Sequence, residues 1–170
     1  MTKSKTLSLD CLVLKRKPQG ETDRIITVLS QELGKFVLIA KGVRRLSSSF
    51  SSSLEPGNLI KAHLVITKGL PLLVQAKLIE DAAASKNNLP QIRRLIQILE
   101  MFDKLFVEEE LPDEVYSLVL SIRRELLSNS TGQVRSSLQQ LLTQLGFATE
   151  TSQTDQSMLE YIQGVVERPM

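Results

Sequence analysis

Residues 19–45, which read QGETDRIITVLSQELGKFVLIAKGVRR, decide the fold. They contain two apolar runs, residues 25–29 and 36–40, separated by a turn at Gly34. Short β-branched runs this close together are typical of an antiparallel hairpin. Basic side chains lie at the ends of both runs, so the stretch predicts a small sheet with a cationic rim.

Three further strands are predicted around this hairpin. Residues 7–17 begin with an alternation of apolar residues at Leu7, Leu9, Cys11 and Val13, as in a half-buried strand, and end in a basic cluster. The other two strands are residues 59–67 and 72–79. Five short strands with a long serine-rich loop after the third favour either an oligonucleotide-binding (OB) barrel or an SH3-like barrel. The periodicity of the apolar residues does not distinguish between these two barrels.

The second half of the chain is predicted to be helical. Asn88-Leu89-Pro90 marks a helix start, a second helix follows Pro112, and Gly146 ends a third. A short fourth helix is predicted from Met158 to Val166. The predicted class is α+β, with a barrel domain at residues 1–80 and a small all-helical domain at residues 81–170.

Composition indicates the class of protein and its cellular compartment. The chain has 170 residues and 42% hydrophobic content, which is normal for a globular protein. It has no apolar run near the ~20 residues that span a bilayer, and no recognisable signal peptide. The single cysteine, Cys11, excludes an internal disulfide and fits a reducing compartment. We therefore expect a cytoplasmic protein without membrane contact, with Cys11 as a buried structural thiol.

Charge is unevenly distributed along the chain. Residues 1–77 carry 13 basic and 5 acidic side chains, whereas residues 78–170 carry 8 basic and 14 acidic ones. A basic half of this kind indicates binding to nucleic acid or another acidic surface. The predicted contacts lie at strand ends and loops, which form the rim of a small barrel: Lys15, Arg16, Lys17, Arg24, Lys35, Lys41, Arg44 and Arg45.

Aromatic residues are few in the basic half. Phe36 and Phe50 are its two aromatics, whereas barrels that stack bases present several such platforms. Phe36 fits the core, and Phe50 suits a base-stacking role and a loop-anchoring role equally well. We therefore expect salt-sensitive binding through phosphates, of both single and double strands, without base reading.

Catalysis has little support in the sequence. His63 is the single histidine, so a Ser or Cys nucleophile lacks its usual base. Walker A, GxGxxG and GxSxG motifs are absent, and one Cys with one His cannot complete a zinc site. The acidic run at residues 108–110 fits a solvated turn before a helix better than a magnesium site. We predict a non-enzymatic binding protein without metal or cofactor.

Several short motifs, in their order and spacing, resemble the RecO recombination mediators of bacterial DNA repair. They are residues 20–24 (GETDR), 34–35 (GK), 40–45 (AKGVRR) and 54–56 (LEP). Residues 141–147 (LLTQLGF) and Arg168-Pro169 resemble later family segments more loosely. The resemblance covers residues 7–80 well and implies an N-terminal five-stranded OB-fold barrel followed by a helical domain.

The resemblance also implies a function and partners. Such proteins bind single- and double-stranded DNA, anneal complementary strands and assist recombinase loading together with the partner RecR. They contact the acidic C-terminal tail of the single-strand-binding protein. A member of this family would be cytoplasmic and nucleoid-associated, and would not be an enzyme.

One departure from the family pattern is visible. Many members carry a four-cysteine zinc module where residues 149–157 are polar and lack cysteine. The resemblance is therefore to a short form without the zinc-binding cysteines, and the Arg168-Pro169 ending favours internal loss over truncation. Two other functions stay open: a protein-interaction adaptor whose barrel binds acidic peptides or subunits, and an RNA-binding OB barrel.

Overall fold

The computed structural model describes residues 4–45, 47–82, 88–128 and 130–147, together with Glu160. Five strands come first along the chain: β1 (Thr6–Gln19), β2 (Asp23–Ser30), β3 (Gly34–Ala40), β4 (Leu59–Val65) and β5 (Leu72–Glu80). Three helices follow: α1 (Leu89–Leu105), α2 (Asp113–Leu127) and α3 (Thr131–Gln144). The predicted α+β class is confirmed. Residues 149–157 and the predicted fourth helix lie outside the described residues, apart from Glu160.

The strands close into a barrel in the order β1-β2-β3-β5-β4, so that β1 lies between β2 and β4. Neighbouring strands are antiparallel except β3 and β5, which meet in parallel at Ile39 and Leu72. A five-stranded barrel with this connectivity is the OB fold. The structure thus decides between the two barrels that periodicity left open, and the predicted OB-fold is confirmed.

The inside of the barrel is filled by every second side chain of its strands. On β3, buried residues alternate with half-buried ones, and Phe36, Leu38 and Ala40 belong to the barrel core. Cys11 of β1 is fully buried in the same core, and its burial raises the pKa of the thiol. Phe36 and Cys11 are therefore the core residues that the sequence predicted.

A β-bulge in β1 changes which side chains face inward. The pairing with β2 gains one residue between Val13 and Lys15, so that Leu14 is extra. Beyond the bulge the alternation shifts by one position, and Arg16 shares the inward face with Ile26 of β2. The alternation that begins at the start of β1 does not predict this shift.

The outer face of the barrel is apolar where the helices pack against it. Leu12 and Leu14 of β1, Leu29 of β2 and Leu59 of β4 are buried in the core of the helical layer, and we call them the outer wall. Because β1 has apolar neighbours on both faces, its residues 11–14 are all buried. The predicted division at residues 80 and 81 stays a prediction, since barrel and helices share this core.

The helix boundaries follow local signals. Asn88 caps α1, because its side chain accepts a hydrogen bond from Gln91 N at 3.3 Å, and Pro90 lies in the first turn. Helix α2 begins directly after Pro112. Gly146 ends α3 with a φ of +86°, a left-handed conformation that glycine adopts without strain. The predicted starts of α1 and α2 and the predicted end of α3 are confirmed.

One charged residue is buried in the apolar face of α2. Arg123 is 2% exposed and donates to Glu80 Oε2 at 2.8 Å. It also donates to the carbonyl oxygens of Gly57, Glu80 and Asp81, at 2.6, 3.1 and 3.0 Å. Burial lowers the pKa of Arg123, and the neighbouring Glu80 carboxylate opposes that effect. The guanidinium thus links α2 to the start of β4 and the end of β5.

The segment between α1 and α2, residues 106–112, contacts the turn between β2 and β3, and we call it the connector. Lys35 N donates to Val107 O at 2.8 Å, and Leu111 N donates to Gln31 O at 2.8 Å. Gly34 has a φ of +66°, and a Cβ at this position would lie 2.5 Å from Val107 O. Backbone contacts therefore hold the helical layer against this turn.

Candidate nucleic-acid interface

Two turns lie side by side at one end of the barrel. One connects β1 to β2 at residues 20–22, and the other, residues 41–45, follows β3. Both β1 and β3 pair with β2, with Gln19 opposite Asp23 and Arg24 opposite Ala40. This pairing brings six of the eight predicted contacts to one end, and we call them the cationic mouth: Arg16, Lys17, Arg24, Lys41, Arg44 and Arg45.

Two arginines of the cationic mouth share the inward face of the barrel beyond its apolar interior. Arg16 and Arg24 are both half-buried there. Burial lowers the pKa of Arg24, and the positive charges of Arg16 and Arg44 lower it further. The Glu55 carboxylate opposes these effects. Arg16 also forms an ion pair with Glu55, in the loop before β4.

The other four cations of the mouth, Lys17, Lys41, Arg44 and Arg45, are exposed. Within the described residues, none of them forms an ion pair with a carboxylate within 4.0 Å. Arg44 Nη1 donates to Gly20 O at 3.1 Å, which orients the guanidinium without neutralising it. These four side chains form a positively charged surface on adjacent strand ends and turns.

A carboxylate holds the second turn in shape. Asp23 Oδ1 accepts hydrogen bonds from Gly42 N at 2.7 Å and from Thr22 Oγ1 at 3.1 Å. The bond from Gly42 N lowers the pKa of Asp23, and Thr22, Lys41 and Arg45 lower it further. Gly42 has a φ of +66°, so the turn needs glycine at this point.

Two more contacts fix the same turn. Arg44 N donates to Thr22 O at 2.9 Å, which joins the two turns through their backbones. Val43 is 1% exposed and lies in the barrel core. The side chains of the second turn are thus carried on a backbone that is attached both to the barrel interior and to the first turn.

The remaining two predicted contacts lie elsewhere. Lys15 Nζ is 2.6 Å from Asp103 Oδ2, and Lys35 Nζ is 3.5 Å from Asp103 Oδ1. Lys35 also donates to Asp103 O. Because Asp103 belongs to α1, both lysines take part in the contact between barrel and helices. The structure therefore does not bring Lys15 and Lys35 into the cationic mouth.

The serine-rich loop that follows the cationic mouth packs against the barrel. Phe50 is half-buried against the barrel core, just before a 3-10 turn at Ser51–Leu54. Asn58 fixes this turn, since its Nδ2 donates to the carbonyl oxygens of Ser52 and Ser53 at 3.3 and 3.1 Å. Of the two roles that the sequence left open for Phe50, these contacts favour loop anchoring.

The barrel matches a known protein family over its whole length. Residues 1–82 match the family model described as recombination protein O N terminal. A protein of Heliobacterium modesticaldum named DNA repair protein RecO is 33% identical over 145 residues, which are 83% of this chain and 52% of the relative. The chain belongs to the RecO family.

Other RecO relatives match over shorter stretches. The DNA repair protein RecO of Frankia casuarinae is 37% identical over 102 residues, which are 59% of this chain and 42% of the relative. That of Myxococcus xanthus is 29% identical over 124 residues, or 72% and 51% of the two chains. The chain spans about half the length of the curated RecO proteins it matches. The predicted family is confirmed.

The residues that the sequence predicts for this site of the RecO barrel are all basic. The prediction leaves out two acidic residues that contact the cationic mouth, Asp23 and Glu55. Asp23 gives no local signal in the sequence, because the N–H that it accepts is 19 positions away, whereas an Asx turn bonds the backbone two residues on. Glu55 gives no such signal, since 39 positions separate it from its partner Arg16.

Among the described residues, no group of three or more His, Cys, Asp or Glu side chains is arranged to hold a metal ion. In the same part of the chain, no helix has the length and hydrophobicity that a membrane span requires.

Proposed function

We propose that this RecO-family chain acts in DNA repair and homologous recombination by binding the phosphate backbone of single- and double-stranded DNA at the cationic mouth. The observation that carries the proposal is the position of six basic side chains at one end of an OB barrel, four of them with no ion pair to a carboxylate within 4.0 Å among the described residues. Lys15 and Lys35 are left out of the proposed contact set, because both contact Asp103.

The proposed binding depends on charge and not on base identity. Phe50, the aromatic residue of the loop that follows the cationic mouth, packs against the barrel core. Arginine and lysine side chains on turns can follow the phosphates of either one or two strands. Neutralising phosphates on two complementary strands also reduces the repulsion between them, which favours their annealing.

The finer role that we propose is that of a non-enzymatic mediator. It anneals complementary strands and assists recombinase loading together with RecR and the acidic C-terminal tail of the single-strand-binding protein. Membership of the RecO family and the name of the relatives, DNA repair protein RecO, support this part of the proposal. A basic surface on the barrel also suits an acidic tail, so DNA and the tail would compete for it.

The double substitution Arg44→Gln and Arg45→Gln tests the proposed contact. We expect DNA affinity at 50 mM salt to fall about tenfold or more, because two charge-assisted contacts to phosphates are lost. The slope of log K against log salt for duplex DNA should become shallower by about 2, since each neutralised phosphate contributes about 0.9. Fluorescence anisotropy with labelled oligonucleotides at several salt concentrations measures both quantities.

The matched control is Arg93→Gln and Arg94→Gln, two adjacent exposed arginines on α1. This variant loses the same net charge and is expected to keep the wild-type salt slope. Equal losses in the two double variants would contradict a localised site and indicate a general effect of net charge.

Two comparisons separate DNA binding from the other functions that the sequence leaves open. Competition between DNA and RNA oligonucleotides of the same sequence is expected to favour DNA or to show no preference, and a clear preference for RNA would replace DNA as the ligand. Pull-down after nuclease digestion tests the adaptor function. Partners that survive digestion and are lost with Arg44→Gln and Arg45→Gln would assign the cationic mouth to protein binding.

A further inference from the structure

We propose that Asp23 is the positioning residue of the cationic mouth, because its carboxylate fixes residues 41–45 against residues 20–22 and so places three cations along one phosphodiester backbone. The three cations are Lys41, Arg44 and Arg45. This inference rests on the proposed function. It assigns a positioning role in the binding of a polyanion to a residue that carries the same charge as that polyanion.

The contacts of Asp23 show what it organises. Its Oδ1 accepts the N–H of Gly42 at 2.7 Å, inside the turn that carries the three cations. Arg45 N donates to Gly42 O at 3.1 Å, so the same peptide segment also fixes the end of the turn. Arg44 N reaches back to Thr22 O at 2.9 Å. Asp23 therefore lies at the point where the two turns are joined.

If only its charge mattered, Asp23 would weaken DNA binding. A phosphate that approaches Lys41 or Arg45 is repelled by a carboxylate beside them, so any uncharged replacement would strengthen DNA binding. If Asp23 instead acts by positioning the turn, uncharged replacements of Asp23 differ in their effect on DNA binding. Asn keeps an oxygen that accepts the N–H of Gly42, whereas Ala removes both the charge and the acceptor.

Glu55 provides a matched measure of the charge effect. It forms an ion pair with the side chain of Arg16 in the same cationic mouth, and its carboxylate accepts no backbone N–H among the contacts of the described residues. Replacing Glu55 with Gln thus removes one negative charge from this site without releasing a turn.

The experiment compares the full chain with Asp23→Asn, Asp23→Ala and Glu55→Gln for binding to a labelled single strand and a labelled duplex at several salt concentrations. We expect Glu55→Gln and Asp23→Asn to bind about two- to fivefold more tightly than wild type at 50 mM salt. Asp23→Ala is expected to bind about fivefold or more weakly than Asp23→Asn, because the turn loses its backbone acceptor. Equal affinities of Asp23→Ala and Asp23→Asn would overturn the proposal.

A second measurement separates this inference from the proposed function. Amide hydrogen exchange of Gly42 and Arg44, measured by NMR without DNA, is expected to be about fivefold or more faster in Asp23→Ala than in Asp23→Asn. Asp23→Ser is a second variant, whose shorter side chain does not reach Gly42 N, and it should behave like Asp23→Ala. If the wild-type chain binds no DNA, the proposed function fails. If exchange is equal in all three variants, positioning of the turn by Asp23 fails, whether or not the wild-type chain binds DNA.

Discussion

Replacing Arg123 with Met is expected to lower the free energy of unfolding by about 3–5 kcal/mol, because a buried charged hydrogen-bond donor is removed while its partners stay in place. Methionine keeps most of the aliphatic stem that packs in α2, so the loss reports on the guanidinium. Three carbonyl oxygens, those of Gly57, Glu80 and Asp81, lose a donor at 2.6 to 3.1 Å. Urea unfolding followed by far-UV circular dichroism measures the change.

Arg124 provides the control for this substitution. It is the next residue along α2 and is exposed, so Arg124→Met is expected to change the free energy of unfolding by less than about 0.5 kcal/mol. Arg123→Lys should fall close to Arg123→Met, since one ammonium group cannot reproduce the fork that contacts Gly57, just before β4, and Glu80, at the end of β5. A stability of Arg123→Met within 1 kcal/mol of wild type, on the scale of an ordinary hydrogen bond, would contradict the linking role.

Replacing Gly34 with Ala is the second substitution with a large expected effect, a loss of about 3–5 kcal/mol of unfolding free energy. Two costs add. The backbone has a φ of +66°, which disfavours any side chain. The new Cβ would also lie 2.5 Å from Val107 O and 2.7 Å from Glu109 N, so the connector would have to move. Urea unfolding and hydrogen exchange of the Lys35 amide, which is bonded to Val107 O, measure the effect.

A comparison with Gly20→Ala distinguishes the conformational cost from the steric cost. Its φ of +59° is nearly the same, but a Cβ there meets no atom within 4 Å. Gly20→Ala should therefore lose only the conformational part, about 1–2 kcal/mol. The difference between the two alanine variants measures how tightly the connector packs on the barrel, and equal losses would show that it moves away at little cost.

The sequence predicts the barrel because its strands obey simple rules. Alternation along residues 7–13 and 36–40 places the same side chains inside that the structure buries there, including Cys11 and Phe36. Turn and cap residues such as Asn88 and Gly146 act through contacts with near neighbours, so their roles are visible in a short window. The OB connectivity was decided by the motif resemblance and by the structure, since periodicity does not encode strand order.

The candidate site could be predicted only in part, because its geometry depends on residues far apart in sequence. Lys15 and Lys35 satisfy the same sequence criteria as Arg44 and Arg45, yet both contact Asp103 of α1. The bulge at Leu14 has no mark in the alternation that precedes it, although it decides that Arg16 and not Lys15 faces inward.

The burial of Arg123 differs from these cases, since the spacing of residues along α2 indicates it. Position 123 lies seven residues after Tyr116, two helical turns along the same buried face of α2. A charged residue within such a face is commonly read as exposed, because a lone buried charge is costly. Its partners near Gly57 and Glu80 belong to distant strands, so the compensation cannot be found in the helix sequence itself.

The apolar outer wall of the barrel has a consequence for biosynthesis. Leu12, Leu14, Leu29 and Leu59 leave the ribosome well before α3 is complete, and α3 is the last of the described helices that share their core. The 64 residues from the end of β5 at Glu80 to the end of α3 at Gln144 take roughly 3–13 seconds to translate at about 5–20 residues per second. During that interval the nascent barrel presents four leucines to the cell, which makes it a substrate for chaperones that bind apolar surfaces until the helices arrive.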